Sequence, residues 1–355
     1  MEDNRLNADV IRLKEPWLKN ENSIWLASSL SLQRNIEKFK FPIKLDVERK
    51  QQIINLVGKE HISLQSSSNP KLLKAEELNF FDKEYLVEHF LTICNYFKSD
   101  VGEAFIVDDT GISITTFNLL DHLSFCVLDT EGDLDAAWNK IIKLESALGK
   151  NYNYSFSPKF GYLTSSLDLC GTGLQVTTYL QLSALLHIGN IESILDKEVD
   201  DDFNVMGMQG SPTEIIGDVF AIQNNYSLGV TEENIIASMR SLTSKLLIEE
   251  KKCRLSIHQS KNALILDKVS RAYGILLYSY QIDAIEALNA LSLCKLGVAL
   301  GWISGISEHQ LNQLFFNCRR AHLLDQFKEK INPEEIPHKR AEYIHKAFKE
   351  TKLLV

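Results

Sequence analysis

The sequence predicts an α+β fold in three parts: a small, mostly helical front, a middle built on an antiparallel sheet flanked by helices, and an all-helical rear. Three observations predict it. β-prone runs cluster between residues 104 and 225. The turn Asp108-Asp109-Thr110-Gly111 joins the first two of them as neighbours. From Leu264 onward, apolar residues recur three or four apart. The expected divisions are 1–80, 81–252 and 253–355.

In chain order, Ser23 to Asn35 alternates Ile24, Leu26, Leu30 and Leu32, an extended segment broken by Phe41-Pro42. Val47 to Val57 has helical spacing, Ser66 to Pro70 reads as a loop, and Glu76 to Phe97 carries Leu86, Val87, Phe90, Leu91 and Cys94 on one face. Ala104–Val107, Ile112–Phe117 and His122–Leu128 form a meander. Leu134 to Leu148 is a helix that Gly149 ends. A helix is expected over Ser183 to Leu195, and strands over Phe203–Met208 and Asp218–Asn225. Thr231, with Glu232 and Glu233 behind it, opens a long helix. Helices over Leu264–Tyr280, Ile282–Leu300, Glu308–Phe327 and Pro333–Leu354 complete the chain.

Composition narrows the function classes. The 355 residues are 45% hydrophobic, enough for a large core, and no apolar run reaches the length of a membrane span. The six cysteines are scattered without a C-x-x-C pair. They indicate neither a zinc knuckle nor a disulfide framework, and they suit a reducing cytoplasm. No metal site is expected. The net charge of −9 is uneven: 22 basic against 37 acidic residues up to position 250, then 16 against 10. An acidic front argues against nucleic acid as a partner.

The stretch Pro158 to Gln181 holds a small-residue loop, Thr164 to Gly173, between extended runs. Gly171-Thr172-Gly173 supplies the freedom to lay backbone N–H groups against a ligand. Gly-x-Gly alone fits an ordinary sheet connection as well.

Four segments in order give this loop more meaning. FGYLTSSLDLCGTGLQV (160–176) resembles the signature loop GYLTSCPTN-x-GTGLRA of the ATP:guanido phosphotransferases, the creatine and arginine kinase family. WLASSLSLQRN (25–35) resembles SSRIRLARN, Asn118 to Leu123 resembles NEEDHLR, and Val205 to Gly210 resembles the RGIYGE turn. The version most resembled is the bacterial protein-arginine kinase, whose helical C-terminal domain binds phosphoarginine and supports dimerisation. The resemblance implies a guanidino-kinase sheet domain and ATP with Mg as cofactor. It also implies a homodimer through the leucine-rich rear, together with a zinc-finger activator protein, a Clp-type unfoldase and client proteins as partners.

The family's chemistry needs arginines on the triphosphate and a carboxylate and cysteine at the guanidinium. By the resemblance, the arginine positions fall on Ser29, Ser31, Ser124, Gln175 and Met206, and a nucleotide-contacting histidine falls on Phe90. Ser28, Val176, Thr177, Gly207 and Gly210 are the adjoining nucleotide-site equivalents. The carboxylates fall on Leu119 and Leu120 and the cysteine on Ser166, with Cys170 nearby. Thr164, Gly171, Thr172 and Gly173 remain as loop scaffold, and Asp121-His122 reads as a structural pair. Arg34 and Lys38 to Lys40 read as solvated surface. In the phosphoarginine-type segment, Lys339 and Arg340 survive without the leading Arg-Asp. The expectation is therefore a family member that keeps the frame, has lost the reactive contacts and works by binding. The alternatives are an active protein-arginine kinase using non-standard residues and a phosphoarginine reader.

Overall fold

The computed structural model describes residues 11, 13–20, 22–64, 69–92, 96–327 and 331–354. The expected loop residues Ser66 to Ser68 and the expected face residue Cys94 lie outside the described residues.

The strands are β1 (Trp25–Arg34), β2 (Lys71–Lys74), β3 (Ala104–Val107), β4 (Ser113–Phe117), β5 (Leu123–Asp129), β6 (Phe156–Ser157), β7 (Gly161–Tyr162), β8 (Leu174–Gln181), β9 (Phe203–Gly207), β10 (Val219–Asn224), β11 (Ile303–Ser304) and β12 (Lys352–Leu353). The helices are α1 (Val47–Leu64), α2 (Phe80–His89), α3 (Leu134–Leu148), α4 (Ser183–Ile188), α5 (Ile191–Glu198), α6 (Glu232–Ser260), α7 (Ala263–Tyr278), α8 (Ala284–Ala299), α9 (Glu308–Asn317), α10 (Arg320–Asp325) and α11 (Ile336–Phe348). Eight strands form one antiparallel sheet in the order β2-β3-β4-β5-β1-β8-β10-β9. Residues 25–34 thus supply a central strand of the sheet. α6 runs unbroken past residue 252.

Alternation along the strands sorts side chains between two cores. On one face, Leu30, Leu32, Phe125, Val127, Val176 and Ile222 pack under α1, α3 and α6 through Ile54, Ile141, Met239 and Leu246. The opposite face of the central strands adjoins α2 and the rear helices. Its Cys126, Tyr179 and Met206 belong to the second core, with Phe81, Leu86, Leu288, Leu291 and Leu296. The rear leucines expected at a dimer surface are therefore largely buried in the chain's own core.

Two expected helices are each split. Gly189, at φ 84°, ends α4 in a left-handed turn that a continuing helix does not allow. The break between α9 and α10 falls at Arg319, in extended backbone. Beyond it the Glu88 carboxylate from α2 accepts the N–H groups of Ala321 and His322 at 3.0 and 3.2 Å. Rear and sheet are joined at buried polar contacts. Lys295 Nζ donates to Gln181 Oε1 at 2.6 Å and to Asn312, and Glu250 accepts from Ala184 and Leu185 N–H. The indole of Trp17 stacks on Phe316 and donates to Asn317 Oδ1 at 2.9 Å.

One core group gives the fold a pH dependence. His61 on α1 hydrogen-bonds Thr115 Oγ1 at 2.7 Å and stacks on Phe125. Burial lowers its pKa from 6.5 to about 4. The unfolded chain therefore binds a proton that the folded chain does not, so this stability is present above pH 6.5 and is lost as pH falls towards 4. Each pH unit in that window is worth about 1.4 kcal/mol. In urea denaturation, the stability difference between the wild type and His61→Gln is expected to shift by about 2 kcal/mol in favour of Gln between pH 7 and pH 5. A pH-independent difference would show that His61 titrates normally.

Candidate active-site cleft

The polar face of the central strands floors a cleft of about 380 Å³. Its floor is read off every second residue: Ser124 and Cys126 on β5; Ser29, Ser31 and Gln33 on β1; Gln175, Thr177 and Tyr179 on β8; Ala221 and Gln223 on β10; and Met206 on β9. Pairing brings them side by side. Ser31 lies opposite both Cys126 and Gln175, Ser29 opposite Thr177, and Met206 opposite Ala221. Leu91, Thr92 and Tyr96 contribute one part of the wall, and Leu120, Asp121, Ser165, Ser166 and Leu169 another.

The floor side chains hydrogen-bond one another. Gln223 Nε2 donates to Thr177 Oγ1 at 2.9 Å, Gln33 Nε2 to Ser31 Oγ at 3.3 Å, and Ser29 Oγ lies 3.4 Å from Cys126 Sγ. Among the described residues lining the cleft, the one charged side chain is Asp121. Its Oδ1 accepts from Asn35 Nδ2 at 2.6 Å and from the Ser165 N–H at 2.7 Å. His122 Nδ1 accepts the Ile36 N–H and Nε2 meets the Lys40 carbonyl, so this pair ties strand ends together. Burial is the main cause lowering the His122 pKa.

The loop beside the cleft is held by Arg34, and here the expectation of a solvated surface fails. Arg34 is 1% exposed. Its Nε donates to Glu145 Oε1 at 2.7 Å, its Nη1 to the carbonyls of Gln33 and Thr172, and its guanidinium lies 3.5 Å from the Tyr162 ring centre. Lys38 and Lys40 are exposed as expected. Gly171 and Gly173 sit at φ 115° and 71°, and a Cβ on either would meet backbone oxygen, of Ser227 or Gln33, inside 3 Å. Thr164 Oγ1 donates to the Ser166 carbonyl, and Thr172 Oγ1 accepts the Leu174 N–H. Cys170 is buried within the loop, its Sγ against the carbonyls of Thr164 and Ser166.

Of the positions expected at a nucleotide site, Ser29, Ser31, Ser124, Gln175, Thr177 and Met206 meet in this cleft, with Leu120 and Ser166. Others do not. Ser28 and Val176 have the opposite parity and are buried on the far face, where Ser28 accepts from Trp25 Nε1. Phe90 is buried in the core, and its neighbours Leu91 and Thr92 reach the cleft instead. Leu119 lines an adjoining pocket of about 350 Å³. Gly207 and Gly210 form a turn in which the Gly210 N–H donates to the Gly207 carbonyl, outside the lining. In the rear, Arg340 is buried, donating to the carbonyls of Cys318 and Ile282, while Lys339 pairs with Glu342. Sequence reasoning missed Gln33, Cys126, Tyr179 and Gln223. The first three stand two residues from expected positions, so strand alternation carried the signal.

An antiparallel sheet flanked by helices, with a cleft on its polar face beside a Gly-x-Gly loop, is the architecture of guanidino kinases. The chain belongs to the ATP:guanido phosphotransferase family: the model of that family's C-terminal catalytic domain matches residues 52–253. A second model, the protein-arginine kinase McsB C-terminal domain, matches residues 261–353. Similar proteins include a protein-arginine kinase of Chlamydia pneumoniae, 30% identical over 335 residues and covering 92% of both chains. Another, from Halothermothrix orenii, is 32% identical over 91% of this chain and 93% of its own. Among solved structures, the duplicated taurocyamine kinase of Schistosoma mansoni superposes with a TM-score of 0.58 at 18% identity, over 71% of this chain and 36% of that one. Lombricine kinase gives 0.56 at 15% identity, over 68% and 71%.

The family's nucleotide sets a demand that these residues do not meet. A magnesium-bound triphosphate needs several fixed cations. The described lining offers hydroxyls, amides, a thiol, a thioether and one carboxylate. The donor set does not fit Mg-ATP.

Proposed function

We propose that this chain keeps the guanidino-kinase frame without its phosphoryl-transfer chemistry and acts by binding a protein partner. One observation carries the reading: Ser29, Ser31, Ser124, Gln175 and Met206, where the resemblance puts phosphate-gripping arginines, converge on one cleft with no lysine or arginine among its described lining residues. Losing a single preorganised charge-stabilising donor costs about 3–4 kcal/mol in well-studied enzymes. Leu120 and Ser166, at the positions of the carboxylate and the thiol, offer no base for a guanidinium. The family resemblance points to partners of four kinds: a second copy of the chain, a zinc-finger activator, a Clp-type unfoldase and client proteins, met in the cytoplasm.

The second reading, an active protein-arginine kinase, is favoured by the relatives of that name at 30–32% identity. A phosphoarginine reader is disfavoured at Arg340, which is buried with its Nε and Nη1 donating to carbonyls. Incubation with ATP and an arginine-rich acceptor protein separates the first two readings. No phosphoarginine is expected by mass spectrometry under conditions that keep the acid-labile P–N bond. Stoichiometric product would establish the kinase.

A further inference from the structure

A second pocket, of about 500 Å³, lies between α2, the turn after β9 and the rear elements α8 and α10, and it shares Leu91 and Thr92 with the cleft. It differs from the cleft in charge: Glu84, Glu88, Arg319 and Arg320 all line it. Three of these are already engaged. Arg320 Nη1 pairs with Glu84, and the Glu88 carboxylate caps Ala321 and His322.

Arg319 is not fully engaged. It is 7% exposed, its Nε donates to the Phe316 carbonyl at 3.1 Å, and its Nη2 has no hydrogen-bond partner. A buried guanidinium with an open donor is costly unless an acceptor completes it.

We propose that this pocket binds the carboxylate of an apolar ligand, held by Arg319 and Arg320, with its hydrocarbon part against Ile285, Leu288, Val87 and Phe97. Arginine matches a planar carboxylate edge to edge. A phosphate dianion is disfavoured, because Glu84 and Glu88 share the site. The walls on the α8 side, Ala284, Ile285 and Leu288, are apolar, and the volume is in the range of small-molecule sites. Two sources carry this chemistry: a free branched-chain acid, and a peptide C-terminus ending in a large aliphatic residue.

The test titrates the full-length protein with isocaproate, the tripeptide Gly-Gly-Leu, its C-terminal amide and inorganic phosphate, followed by ligand-observed NMR. At least one carboxylate is expected to bind, and which one identifies the source; the amide and phosphate are expected not to. Arg319→Met, and the more exposed Arg320→Gln and Ile285→Asp, should each weaken binding by about tenfold or more. Glu84→Gln, which removes the competitor for Arg320, should tighten it. A purely structural ion pair would not produce that gain. Absence of binding by both carboxylates, equal binding of acid and amide, preference for phosphate, or unchanged affinity in Arg320→Gln and Ile285→Asp each overturns the assignment.

Discussion

Titration of the protein with Mg-ATP is expected to give no saturable heat up to millimolar nucleotide. A micromolar complex is worth about 8 kcal/mol and a millimolar one about 4. The difference is about what one or two charge-assisted donors supply. The five positions where the resemblance puts arginines carry neutral side chains, and the one charge on the described lining, Asp121, has the sign of the ligand. The losses are not additive, but only a fraction of their sum is needed. The floor is also hydrogen-bonded within itself, Gln223 to Thr177 and Gln33 to Ser31, so a phosphate would have to displace contacts already made. A micromolar midpoint in calorimetry would refute the binding-only reading at its base.

The second large effect concerns stability. Arg34→Met is expected to lower the unfolding free energy in urea by about 3–5 kcal/mol, because Glu145 is left buried without its partner. The same change strips a donor from the carbonyls of Gln33 and Thr172, on the strand end and the loop. Adding Glu145→Leu should recover part of the loss, since an apolar pair of similar volume often replaces a buried ion pair well. A loss below about 1 kcal/mol, the scale of an exposed ion pair, would show that Arg34 does not anchor the loop.

The elements legible in the sequence were those set by near neighbours. β3, β4, β5 and α3 fall where Asp108 to Gly111, the alternating runs and Gly149 put them. The helix expected through Gly189 was misread because a glycine inside a helical pattern does not announce its φ; only the fold requires the left-handed turn there. At the site, the lack of lysine and arginine on the described lining was legible because residue type at five positions was enough. Ser28 and Val176 lie outside the cleft lining by a rule the sequence does contain: a strand turns adjacent residues to opposite faces. Arg34 and Arg340 were not legible as buried. Glu145 lies 111 residues from the first, and the Cys318 and Ile282 carbonyls lie 22 and 58 from the second. No local pattern marks a charge whose partners are that distant.

The contact between Trp17 and Asn317 has a consequence for biosynthesis. The two residues are 300 positions apart, and the indole also stacks on Phe316. On a ribosome adding about 5–20 residues per second, Trp17 emerges roughly fifteen seconds to a minute before its partners exist. A large aromatic that ends up fully buried is therefore unsheltered for most of translation. The sheet and its cleft can assemble during that interval, whereas the front end cannot close until α9 has emerged. Chaperone capture of nascent chains is accordingly expected to centre on this first turn and to end when α9 is released.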